Sequence, residues 1–169
     1  MPSEPIDDPT DALEPALLIV VAAVALGDLA VAAHVIPAGV AETTRVALAV
    51  GALVAATLGI AVAVATCRPA AVALATLGVP VAGLYAYTGL LLPWTRLSFS
   101  LGQIGVEATL SIPALGPALA TALFGGFTLS QATLERAFVI HYGLVAVAGA
   151  ALLARAVVLV RRRDAIDPA

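Results

Sequence analysis

The chain has 169 residues, 62% of them hydrophobic and only 11% charged, with a mean hydropathy of +1.07. A water-soluble domain of this size has too little interior for so much apolar surface, so soluble globular classes are excluded and the main solvent is lipid. The formal net charge of −3 gives no pull toward nucleic acid, and none is expected as a partner.

A hydrocarbon core about 30 Å thick needs about 20 apolar residues per helix. Four runs meet that length: Ala16 to Ile36, Val46 to Thr66, Ala70 to Leu92 and Leu134 to Val160. Helices are required, because backbone groups facing lipid must be paired within the segment, and the alternation of barrel strands is absent. Ahead of the first run lies an acidic segment with Glu4, Asp7, Asp8, Asp11 and Glu14. Its sign is wrong for a removable signal peptide, and residues 1–14 are expected to form a solvated tail. Within the first run stands Asp28, a charge costly enough in lipid to mark a functional position by default. His34 falls near the outer end of the same run, as an interfacial residue.

The second run contains no histidine; Cys67 and Arg68 follow it in a short turn. A lone cysteine offers no disulfide within the chain and no paired-cysteine metal or haem motif. Tyr85, Tyr87 and Trp94 crowd the outer end of the third run, as an aromatic belt does. Between Trp94 and Thr133 the chain is too short in apolar residues to cross again. Phe99, Ile104, Val106, Leu110 and Ile112 interleave with Ser98, Ser100, Gln103 and Glu107, which suits an amphipathic helix on the outer surface. Pro113, Gly116 and Pro117 break it, Gly125-Gly126 turns the chain, and Ser130 and Thr133 offer caps for the fourth span.

Every basic residue is arginine. Arg68 and the run Arg161, Arg162 and Arg163 outweigh Arg45, Arg96 and Arg136, which are spread over the opposing loops. That moderate bias is expected to place both termini in the cytoplasm, and the localisation expected is the plasma membrane, as a multi-pass chain. Glu107 and Glu135 are expected in water beside Arg96 and Arg136. The architecture is an all-α membrane protein with one domain over residues 15–160, four spans in an antiparallel bundle, and a short C-terminal tail over 161–169. Gly27, Gly51, Gly59 and the many alanines allow close helix approach.

Punctuation in the loops carries a family likeness. Leu92-Pro93-Trp94, Ser98-Phe99, Ile112-Pro113, Gly116, Gly125-Gly126 and Ala132-Thr133-Leu134 with Arg136 fall in one register. That series resembles the third helix, connecting loop and fourth helix of the N-terminal half of cytochrome b and b6, with Pro93 and Trp94 as the loop motif. Ala33-His34 is similar to the family's non-ligating histidine at the outer end of the first helix. The resemblance implies a cytochrome b-like bundle, quinol as the pool served, and partners in a Rieske protein and a C-terminal-half cytochrome b subunit. It also implies a homodimer.

The resemblance implies two b haems held by paired histidines on the second and fourth helices, fourteen residues apart on the fourth. His141 stands at the first of those fourth-helix positions, and Arg155 stands fourteen residues on. A guanidinium stays protonated and has no lone pair for iron. With two histidines in the chain, at most one haem b is expected, on His141, and the usual pair is not. After Ser98-Phe99, Leu101 replaces the family's glycine beside the quinol pocket, with Gly102 next door.

Asp28 and His141 lie at similar depth below the outer surface, so a contact between them in place of a haem is one expectation. The other is Asp28 facing a partner or hydrated groove, with His141 on a backbone carbonyl. Arg155 either snorkels to the cytoplasmic headgroups or binds a lipid phosphate or quinone oxygen. Three functions stay open. One is a degenerate, structural subunit of a quinol-linked respiratory complex; another is an active carrier with a single unusually ligated haem. The third is a haem-free bundle binding lipid or quinone. No catalytic constellation is read from the residues, and oxidoreductase membership enters only through the resemblance.

Overall fold

The computed structural model describes residues 9–67 and 69–166, and every regular element among them is a helix. Six helices follow in order: α1 (Pro9–Ala32), α2 (Ala38–Ala65), α3 (Pro69–Leu91), α4 (Arg96–Leu110), α5 (Gly116–Phe124) and α6 (Gln131–Ile166). Four are long and apolar enough to cross a membrane, over Leu13–Ala32, Gly39–Ala65, Ala71–Leu91 and Gln131–Leu159. The expected tail residues 1–8, Arg68 and residues 167–169 lie outside the described residues.

Several boundaries differ from the sequence expectation, each for a local reason. Helix α2 starts at Ala38 rather than Val46, directly after Pro37, whose φ of −57° and ψ of 144° make it the N-cap. Arg45 is therefore two turns inside a helix and not in an outer loop. Helix α1 takes in Glu14, and α6 runs on through Arg161 to Arg163 instead of ending before them. The surface segment holds two helices where one was expected. Helix α4 ends at Leu110, the chain turns through Ala114 at φ 64°, and Pro117 in the first turn of α5 restarts a helix that Gly125 closes in the left-handed conformation at φ 85°.

The spanning helices form a ring in which α1 packs on α2, α2 on α3, α3 on α6 and α6 on α1, while across the α1–α3 diagonal the backbones stay apart and side chains meet, as Tyr85 does with Asp28. Helix α4 lies against α3 and α5, and α5 against α6. The interior is built from small and polar side chains: Ala25, Ala49, Ala55, Ala63 and Ala82 are buried together with Asp28, Thr88 and His141. Large residues such as Ile19, Leu26, Leu74, Val139 and Leu153 turn outward. That inversion of the soluble pattern is what lipid requires, since helix association there gains from close approach and polar contacts rather than from burying leucine.

Helix α4 presents two unlike faces. Ser98, Gly102 and Val106, at helical spacing, are buried, whereas Phe99, Ile104 and Leu110 are exposed and suit the headgroup boundary. Thr95 caps the helix reciprocally with Ser98, whose hydroxyl also donates to the Leu90 carbonyl at 2.7 Å, so the Leu-Pro-Trp turn is tied to the end of α3. Gly102, rather than position 101, faces the bundle; a Cβ there would sit 2.8 Å from the Leu129 side chain.

The α5–α6 turn is held by Thr133, whose hydroxyl accepts from the Ser130 N–H at 3.0 Å and donates to the Phe124 carbonyl at 2.7 Å. Arg136 caps α5 by donating to the carbonyls of Thr121 and of Ala122, the latter at 2.6 Å, instead of sitting beside Glu135. Thr133 is buried, so Thr133→Val strands a donor and an acceptor and is expected to cost about 1–3 kcal/mol. A thermal melt of the purified variant in detergent checks it.

Candidate functional site

Three helices converge on one buried imidazole. His141 comes from α6, in the third turn below its outer end, and is 1% exposed. From α1, Asp28 brings its carboxylate to 2.8 Å from His141 Nε2, and is itself 1% exposed. From α3, Tyr85 donates its hydroxyl to the same Asp28 oxygen at 2.5 Å. The Tyr85 ring also stacks on the imidazole, with centroids 4.6 Å apart and planes 20° from parallel. On its other nitrogen, His141 Nδ1 faces the Tyr85 carbonyl at 3.1 Å and the Thr88 hydroxyl at 3.3 Å.

The backbone makes room for this packing at one place. Gly89 passes so close that a Cβ there would lie 2.7 Å from His141 Cε1. The space bounded by Asp28, Arg45, Tyr85, Gly89 and His141 does not admit a water molecule. Arg45 reaches this cluster from α2, with its Nη1 atom buried and without a hydrogen-bond partner among the described residues. Its other face lines an outer groove of about 520 Å³ shared with His34, Glu135 and Tyr142.

A b haem on His141 does not fit this arrangement. Coordination needs a ring nitrogen whose lone pair meets open space, whereas Nε2 lies against the Asp28 carboxylate and Nδ1 against the Tyr85 carbonyl and the Thr88 hydroxyl. The Tyr85 ring covers one face of the imidazole and no open volume adjoins it. Toward the end of the bundle that carries the α2–α3 turn, a pocket of about 280 Å³ lies between the four spanning helices, lined by apolar residues and by Tyr85. Its lining holds no histidine, cysteine or methionine, and the Tyr85 hydroxyl already donates to Asp28.

Arg155 lies fourteen residues beyond His141 on α6 and donates from Nη2 to Glu14 of α1. Glu14 in turn lies fourteen residues before Asp28. Both positions of α6 at the family's haem spacing are therefore engaged by carboxylates of α1.

The remaining singled-out residues do not join the cluster. His34 is exposed, just past α1, with φ 56°. Trp94 stands in the α3–α4 turn at φ 53°, edge-to-face with Phe99 at 6.4 Å, next to Pro93. Cys67 is exposed in the α2–α3 turn. Tyr87 donates to the Leu101 carbonyl at 3.0 Å and holds α3 to α4.

Two members of the cluster escape sequence reading. Tyr85 belongs to the buried site and not to an aromatic belt, being 7% exposed. The signal lay in its spacing: Tyr85, Thr88 and Gly89 share one face of α3 at i, i+3 and i+4. Arg45 was hidden by the late start assigned to the second span, and Pro37 was the usable signal.

A ring of four spanning helices with a helical surface segment between the third and fourth defines a multi-pass membrane protein of the cytochrome b-like bundle class. The chain belongs to the cytochrome b family: the family model described as cytochrome b(N-terminal)/b6/petB matches residues 68–169. Among curated relatives, cytochrome b of Micropechis ikaheca is 40% identical over 57 residues, covering 34% of this chain and 15% of that protein. Cytochrome b of Marchantia polymorpha is 39% identical over 69 residues, 40% of this chain and 17% of its own length. That of Arabidopsis thaliana is also 39% identical over 69 residues, 40% of this chain and 18% of its own. The chain thus matches less than a fifth of the length of these relatives. No solved structure matches it.

Proposed function

We propose that the chain is a haem-free, cytochrome b-like structural subunit of a quinol-linked respiratory electron-transfer complex in the plasma membrane, with both termini cytoplasmic. The observation that carries the reading is the hydrogen bond of His141 Nε2 to Asp28, which occupies the one imidazole at a haem-ligand position. Where the family would clamp an outer haem between the second and fourth spans, this chain joins α1, α3 and α6 through Asp28, Tyr85 and His141. The chain then keeps the family's loop residues, including Pro93 and Trp94 ahead of α4, without the cofactor. Such retention serves docking of haem-bearing and Rieske-type partners, and pairing with a C-terminal-half cytochrome b or a second copy extends the same surface.

The geometry weighs against a single haem on His141, because ligation would require the imidazole to leave Asp28 and the Tyr85 stack together. A pyridine haemochrome assay on the purified chain tests this: the expected spectrum has no b-type absorption band at any stoichiometry. Co-purification from native membranes with a Rieske protein or a haem-bearing cytochrome tests the partnership. A red preparation with one haem per chain, lost in His141→Ala, overturns the haem-free reading.

A further inference from the structure

The inner half of the bundle holds a cavity that the Asp28 cluster leaves untouched. Its volume is about 280 Å³, and it is walled by all four spanning helices, with Ala25, Ala55, Gly59, Gly78, Ala82 and Val145 among its lining. Tyr85 is its one polar neighbour, and that hydroxyl already donates to Asp28. Water has nothing to bond there, and an apolar cavity of about 150 Å³ is already large enough to take a benzene ring. Its lining runs from Ala75 to Tyr85 along α3, roughly 15 Å at 1.5 Å per residue, a length that suits an extended hydrocarbon chain.

We infer that this cavity binds one hydrocarbon chain of a membrane amphiphile, acyl or isoprenyl. The chain enters from the cytoplasmic leaflet, because the packed Asp28, Tyr85 and His141 side chains close the outer end. Hydrocarbon is the surrounding solvent at this depth, and the alanine and glycine walls offer it contact without a competing polar group. The site shares only Tyr85 with the cluster above, so the inference does not rest on the haem-free reading, and the two fail in separate measurements.

The test uses the full chain in nanodiscs of phosphatidylglycerol carrying a diazirine at mid-chain. Photolysis is expected to label buried Ala82 and Ala55 as well as outward-facing Val54 and Val79. The double variant Gly59→Leu, Gly78→Leu fills the cavity; a Cβ at either glycine meets nothing within 4 Å, so the added side chains have room. In it, labelling of Ala82 is expected to fall tenfold or more, while labelling of Val54 and the helical circular dichroism stay unchanged. Equal labelling of Ala82 in both proteins, or labelling confined to outward residues in the parent, overturns the inference. Added ubiquinone-10 separates the sources: competition at Ala82 assigns the chain to an isoprenoid quinone, and its absence to phospholipid.

Discussion

Asp28→Ala is expected to lower the stability of the purified protein by about 3–5 kcal/mol, the cost typical of breaking a buried polar pair from one side. The carboxylate is the shared acceptor for His141 Nε2 and the Tyr85 hydroxyl, so its loss strands two donors with no water in reach. Arg45 loses a neighbouring negative charge as well. Thermal unfolding in detergent, followed by circular dichroism, reads the effect. Asp28→Asn keeps the volume and an acceptor oxygen, so a smaller loss is expected. The triple exchange Asp28→Leu, Tyr85→Phe, His141→Phe removes the acceptor together with both donors, and it should recover much of what Asp28→Ala loses. If Asp28→Ala melts like the parent, the cluster does not hold the bundle.

Gly89→Ala adds a single methyl group, yet about 1–3 kcal/mol of destabilisation is expected from overpacking. The new Cβ would lie 2.7 Å from His141 Cε1 and 3.2 Å from Nδ1. The imidazole cannot yield easily, being bonded to Asp28 on one edge and stacked on Tyr85. Gly83→Ala, six residues earlier on the same helix, is the control, since a Cβ there meets nothing within 4 Å. It is expected to be neutral or slightly stabilising. The His141 ring resonances in a nitrogen-labelled sample should shift in Gly89→Ala and not in Gly83→Ala.

The spans were legible because lipid imposes a length and a composition that no local accident reproduces. That Asp28 and His141 come within reach of each other was also legible, since helical rise converts sequence position into height. Which side of the bundle each residue faced was not. Tyr85 and Tyr87 are two residues apart, so they point in different directions on a helix: one enters the cluster and the other reaches α4. A belt reading treats them alike. Arg45 was misplaced because an early helical turn rich in threonine and glutamate looks like a loop when only apolar length is counted. Helix α5 was missed for the opposite reason: nine residues bounded by Pro and Gly read as a breaker, although Pro117 in the first turn starts a helix as readily as it stops one.

The pairs Asp28 with His141 and Glu14 with Arg155 have a mechanical consequence. Each joins α1 to α6, and the intervals are fourteen residues on both, so the two rivets sit roughly 21 Å apart along antiparallel rods of equal pitch. One rivet alone would let the rods pivot, whereas two at matched spacing also fix their tilt. The deeper rivet is shielded and strong, and the half-exposed one at the rim adds alignment more than strength. Inserting a single residue into either helix between them would rotate one partner by about 100° and break the correspondence, so this seam tolerates substitution far better than a change of length.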